Sequence, residues 1–155
     1  MTRSRMFVSA AVASVLFCMP ALAQEKKLKR EELPAAVQKT ADDQAKGATV
    51  RGYSAEVEDG KTIYEVQLTL NGKTRDVSID PTGIVLEVED QVEFAALSAP
   101  VQAGLKKMAG AGKILSVVSL TKKDKLVAYE AVVETAGKKK EVQVGPDGKP
   151  LAHEE

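Results

Sequence analysis

His153 is the chain's single histidine, and with Glu154, Glu155 and the terminal carboxylate it assembles side chains that could ligate a divalent metal. Zinc sites need ligands at fixed spacing on a rigid frame, and ligands on a terminal segment lack that frame, so the reading is an ordinary tail. Glu65 and Asp76 could serve as paired carboxylates in acid–base chemistry, but no His, Cys or Ser arrangement that would supply a nucleophile accompanies them. The glycines of Gly110-Ala111-Gly112 follow a predicted helix, whereas a phosphate cradle precedes one. The sequence therefore predicts no catalytic residue, no metal site and no cofactor, and points to a protein that is not an enzyme.

The elements that would position any surface are written twice. Tyr64 to Gly83, YEVQLTLNGKTRDVSIDPTG, is echoed by Tyr129 to Gly148, YEAVVETAGKKKEVQVGPDG. At a constant offset of 65 the pairing of residues 64–90 with 129–155 gives nine identities in 27 positions, turn glycines included. This reads as an internal duplication. A two-residue turn at Asn71-Gly72 sets Val66 opposite Val77 and Tyr64 opposite Ile79. A turn around Pro81-Thr82 then sets Ile84 against Ile79 and Leu86 against Val77, and Asp59-Gly60 sets Ala55 against Tyr64. Tyr64 and Tyr129 face the apolar side. Strands are predicted over about 50–57, 61–70, 73–80 and 84–88, then about 113–121, 125–135, 138–144 and 149–153.

A helix is predicted ahead of each set of strands. Pro34 suits a first turn, and Leu33, Val37, Ala41 and Ala45 form one stripe ended by Gly47. Ser98 and Pro100 open the second helix, Val101, Leu105 and Met108 line it, and Gly110 to Gly112 stop it. The connector 90–96 lacks Gly and Pro and reads as a packed connection. The hairpin tips differ: Glu58-Asp59-Gly60-Lys61 is acidic, and Thr121-Lys122-Lys123-Asp124-Lys125 is basic and one residue longer.

At the N-terminus two arginines precede the apolar run Met6 to Pro20 and the small-residue sequence Ala21-Leu22-Ala23, the pattern of a signal peptide over residues 1–23. Cleavage would leave no membrane anchor, would remove Cys18, and would leave 20 basic against 22 acidic side chains. That balance argues against nucleic acid and anionic membranes as partners. With no cysteine and no Trp, stability must come from small aliphatic cores. Residues 24–32, QEKKLKREE, read as a charged, solvated arm.

These residues carry a family resemblance. A helix, Gly47, Glu56-Val57-Glu58-Asp59-Gly60, Tyr64-Glu65-Val66, Asn71-Gly72-Lys73 and Val77 to Gly83 resemble the PepSY domain, and the tandem arrangement is similar to PepSY-like, beta-lactamase-inhibitor-like proteins of bacterial envelopes. The resemblance runs from about Leu33 to Leu151, and the second copy departs from the motif at Ala131, Ala136 and Gly145. It implies an α+β fold of two tandem repeats, residues 33–90 and 91–155, each a helix packed on a four-stranded antiparallel sheet. It also implies a non-enzymatic, periplasmic or secreted protein that binds or restrains another protein, a peptidase among the candidates.

Strand alternation leaves one sheet face polar, with Glu65, Gln67, Thr69, Thr74, Asp76 and Ser78 in the first copy and Glu130, Glu134, Glu141 and Gln143 in the second. The predicted contact residues for a protein or peptide partner in the cell envelope are Asp59, Glu65, Gln67, Asp76 and Glu130. They sit on strands held by the ladder, whereas the helix positions Gln38, Lys39, Asp42, Asp43 and Lys46 form a mixed-charge surface that solubility explains. The competing expectation is an envelope sensor or scaffold that binds a peptide, small ligand or metal.

Overall fold

The computed structural model of the chain describes residues 25–58, 60–153 and 155; the signal-peptide pattern of residues 1–23, Asp59 and Glu154 lie outside them. Two helices and eight strands follow in order. They are β1 (Lys26–Leu28), α1 (Ala35–Gln44), β2 (Thr49–Glu58), β3 (Lys61–Leu70), β4 (Lys73–Ile79), β5 (Val85–Gln91), α2 (Ala99–Ala109), β6 (Lys113–Lys122), β7 (Lys125–Thr135) and β8 (Lys138–Val144). Short 3-10 turns at Arg30–Glu32 and Phe94–Ala96 lead into the two helices. The strands form a single antiparallel sheet whose spatial order is the chain order, β1 to β8.

Turn chemistry fixes the hairpins. Asn71 and Gly72 both take positive φ, 52° and 79°, the type I′ geometry whose twist matches that of the strands it joins. Val66 then pairs with Val77 and Tyr64 with Ile79, as the alternation predicts. Ala136 and Gly137 repeat the turn, and β7 pairs with β8 as Ala131 with Val142 and Tyr129 with Val144. Pro34 and Ser98 occupy the helix N-caps, Ser98 in extended conformation, and Gly47 turns the chain after α1 with φ 79°. Both helices lie on one face of the sheet. Val37 and Ala41 of α1 pack with Leu33, Val66, Leu68, Val77 and Ile79, and Tyr64 packs against that cluster. Val101, Leu105 and Ala109 of α2 pack with Ala131, Val133, Val142 and Val144, with Tyr129 against them.

The expectation of two repeats, each a helix on its own four-stranded sheet, is overturned by the continuity of this sheet. β5 does not stop at residue 88 but continues to Gln91, and it pairs with β6 from Glu87 opposite Lys122 to Gln91 opposite Val118. Its polar end is satisfied within the sheet: Arg75 donates twice to Asp90, at 2.6 and 2.9 Å, and Thr74 N–H donates to Gln91 Oε1 at 3.0 Å. The predicted strand at 149–153 is absent, leaving a single bridge between Val144 and Pro150. Pro150 has no N–H for a ladder. Nor is 24–32 simply a solvated arm, because β1 pairs Lys26 to Leu28 with Ala55 to Tyr53.

Two registers also differ from expectation. A bulge at Ser78/Ile79 places Val85 opposite Ile79 and Val88 opposite Val77, so Ile84 and Leu86 are exposed. Asp80 Oδ1 accepts from the N–H groups of Thr82 and Ile84, and these bonds shape a longer loop than the tight turn assumed. The β6–β7 hairpin is not longer than β2–β3: Lys123 and Asp124 form a two-residue turn with positive φ, and an irregularity at Leu120/Thr121 absorbs the extra residue.

Candidate functional site: the open face of the sheet

The face opposite the helices carries no helix among the described residues, and strand alternation sends acidic side chains to it. Glu155 at the chain's last position lies against one end of it, its N–H donating to Gln143 Oε1 at 2.9 Å. Ser54, Glu65, Ser78, Glu87 and Lys122 follow one another across β2 to β6 in register, and Gln67, Asp76, Glu89 and Leu120 form the next row. Glu130 lies opposite Val118 on β6 and Gln143 on β8. The sequence-predicted residues Glu65, Gln67, Asp76 and Glu130 therefore share this face. Asp59 lies outside the described residues.

Four of these acids, Glu65, Asp76, Glu87 and Glu130, are held by neighbours. Gln67 Nε2 donates to Glu65 Oε1 at 2.7 Å, and Gln143 Nε2 donates to Glu130 Oε2 at 2.8 Å. Arg51 is ion-paired with Asp76 through Nη2, while its Nε donates to the Leu68 carbonyl at 3.0 Å. Lys122 Nζ stands 3.2 Å from Glu87 and 3.6 Å from Glu155. These bonds fix rotamers in advance, which lowers the entropy lost when a partner docks.

Glu89 is the electrostatic centre, and the sequence reading ended its strand one residue short of it. Burial, together with the charges of Glu87, Glu130, Asp76 and Glu65, pushes its carboxyl up to about 8. Its register neighbour Leu120 and the next, Ala128, are both buried, so the row is apolar beside it. That shift favours the protonated carboxyl, the form in which Glu89 can donate a hydrogen bond. Burial also raises Glu65, against the bond from Gln67, and raises Asp76, against the pull of Arg51. The signal in the sequence was the alternation of Glu87, Glu89 and Gln91 with Val88 and Asp90.

At one end of the face a hollow of about 400 Å³ is lined by the apolar Ile63 and Leu86 and by the charged Glu58, Glu87, Lys122, Lys123 and Glu155. Apolar side chains beside charged ones suit a protein contact. His153 is exposed, and among the described residues no group of three or more His, Cys, Asp or Glu side chains is placed to hold a metal ion. No helix among the described residues is long and apolar enough to cross a membrane.

No protein-family model matches the chain, and no curated protein matches it. Solved structures do. A BLIP-like protein of Bacteroides fragilis has 19% identity and a TM-score of 0.56, over 77% of this chain and 83% of that one. A DUF2874 family protein of Bacteroides ovatus has 19% identity and a TM-score of 0.60, over 77% and 84%. A protein of Bacteroides eggerthii, described as a candidate periplasmic protein, has 16% identity and a TM-score of 0.62, over 77% and 86%. At such identities the likeness establishes the fold, which is that of BLIP-like and DUF2874 proteins. The narrower PepSY resemblance rests on the motifs alone.

Proposed function

We propose that this chain is an exported, non-catalytic module that binds another protein in the cell envelope, with the open face of the sheet as its contact surface and an extracytoplasmic enzyme such as a peptidase as the kind of partner it restrains. The observation that carries this reading is the helix-free face itself, where Glu65, Asp76, Glu87 and Glu130 are already bonded to neighbours on a rigid ladder. Its charge favours a partner with a basic surface. Export is supported by the pattern of residues 1–23 and by the likeness in fold to a protein described as a candidate for the periplasm.

Affinity capture from an extracytoplasmic extract tests it with two paired variants. Glu65→Lys with Asp76→Lys should abolish capture of the partner, while Asp42→Lys with Asp43→Lys on the back of α1 should retain it. The charge-neutral pair Glu65→Gln and Asp76→Asn, compared by unfolding midpoint, separates a lost contact from a lost fold. Undiminished capture by the folded sheet-face variant would remove the surface assignment. A captured enzyme whose turnover is unchanged by saturating wild-type protein would remove the restraint.

A further inference from the structure

Strand β6 runs past its neighbour. β5 pairs with it from Lys122 to Val118, Val92 N–H donates to the Val117 carbonyl at 3.0 Å, and the chain then leaves the sheet through the 3-10 turn toward α2. Residues 113–116 consequently pair with β7 on one side and with no strand on the other among the described residues. A groove of about 600 Å³ lies along this free edge. Gln91 to Phe94 form its far wall, with Ala109, Ile114 and Val117 beneath and Lys106 Nζ 5.5 Å from the centre of the Phe94 ring. Leu115, the extra residue of a bulge between Ile114 and Ser116, is 40% exposed at the groove.

We infer that this groove is a second binding site, which takes a short extended peptide segment alternating acidic and apolar residues, paired antiparallel with Lys113–Ser116 in the line that β5 vacates. A strand edge offers donors and acceptors in alternation, and another extended backbone matches both. Four residues at strand rise span about 13 Å, the length of the free edge. Charge selects the side chains: Lys106, Lys107 and Lys113 have no carboxylate within salt-bridge distance among the described residues, whereas Glu93 on the rim faces Lys73 at 3.9 Å. An acidic side chain on the helix side meets Lys106, and an apolar one on the other side meets Leu115.

The corresponding place in the N-terminal half is engaged by its own polar groups. Arg51 occupies the equivalent bulge of β2, between Val50 and Gly52, and is bonded to Leu68 and Asp76. Arg30, in place of Phe94, donates to Asp42 at 2.9 Å and to Gln38 at 2.9 Å. Among the described residues the free edge beside Phe94 has no such ion-paired or hydrogen-bonded occupant, and none of the open-face acids lines the groove, so the inference does not depend on the function proposed above.

Titrating the ¹⁵N-labelled protein with acetyl-Val-Glu-Val-Glu-Val-amide provides the test. The expected result is amide shifts confined to Gln91–Phe94 and Lys113–Val117, slower hydrogen exchange along 113–116, and unmoved signals at Glu65, Asp76 and Glu89. Lys106→Glu should weaken binding about tenfold through loss of the charge contact. Peptides N-methylated at alternate residues, one for each alternation, should include one that loses binding because its ladder donors are gone. Absence of shifts at millimolar peptide, equal binding by both methylated peptides, or shifts centred on the acidic face would each overturn the site.

Discussion

Strands β3–β4 and β7–β8 pair in the same register 65 residues apart, yet the helix above each pair fills its core differently. In the N-terminal half the sheet supplies bulk: Val66, Leu68 and Ile79 lie under Val37 and Ala41 of α1. In the C-terminal half the same sheet positions hold Ala131, Val133 and Val144, and Leu105 supplies the missing volume from α2. Volume has moved from sheet to helix, an exchange that cores tolerate. The helices are also docked by different means. Thr40 Oγ1 donates to the Gly83 carbonyl at 2.7 Å, whereas α2 has Gly104 at that place and rests against the turn backbone. A Cβ on Gly148 would stand 2.2 Å from the Pro100 carbonyl oxygen; on Gly83 it would stand 2.8 Å from that of Ala36.

The largest effect should come from breaking that difference in approach. Gly148→Ala is expected to cost about 3 kcal/mol or more, since it adds a backbone clash to a positive φ, and Gly83→Ala about 1 to 2 kcal/mol. Denaturant midpoints with unchanged slopes would measure both; equal costs would mean that the two helices dock alike. Val66→Ala and Val133→Ala, each deleting fully buried methyls, should each cost about 1 to 3 kcal/mol. Because β5 and β6 join the two cores, both substitutions should shift one shared transition. Two separated transitions would instead show halves that unfold independently.

The open face gives the next effect, and its sign follows from protonation. A carboxyl raised from 4.5 to about 8 in the folded protein keeps its proton where the unfolded chain has lost it. The folded state therefore binds more protons between those values, and stability falls as pH rises through that window. After allowance for partial solvent screening the loss is on the order of 1 to 2 kcal/mol. Glu89→Gln should flatten unfolding midpoints measured from pH 5 to pH 8.5. An unchanged slope in that variant would place the titration elsewhere.

How legible the molecule was in its sequence depended on the distance over which each feature is determined. The β3–β4 register and the helix starts are written locally, in Asn71-Gly72, in Pro34 and Ser98, and in alternation beside them. The junction of β5 with β6 is not, because Glu89, Asp90 and Gln91 look like a polar connector until Arg75 and Thr74 arrive from β4 to bond Asp90 and Gln91. β1 is three residues with Leu28 alone apolar, too short for a pattern. The same holds at the site: Glu65, Asp76 and Glu130 fall on the open face by parity, but Glu89 becomes their centre only through pairing between strands distant in sequence.

The smallest effects separate the two bulges. Arg51 and Leu115 are the extra residues at equivalent irregularities of β2 and β6. Arg51 is held by the Leu68 carbonyl and by Asp76, whose carboxyl burial already pushes upward and the guanidinium pulls back down. Arg51→Leu should cost about 1 kcal/mol at neutral pH, the net worth of a partly exposed ion pair with one carbonyl bond. It should also release Asp76 to rise further. The folded protein would then bind still more protons than the unfolded chain above the ordinary carboxylate range, so the variant should be least destabilised at pH 5 and most at pH 8. Leu115→Arg, on an exposed residue with no polar partner to satisfy, should stay within about 0.5 kcal/mol of wild type at both values. A pH-independent loss for Arg51→Leu would mean that the guanidinium acts by packing on the sheet and not through Asp76, and the two bulges would then differ in shape alone.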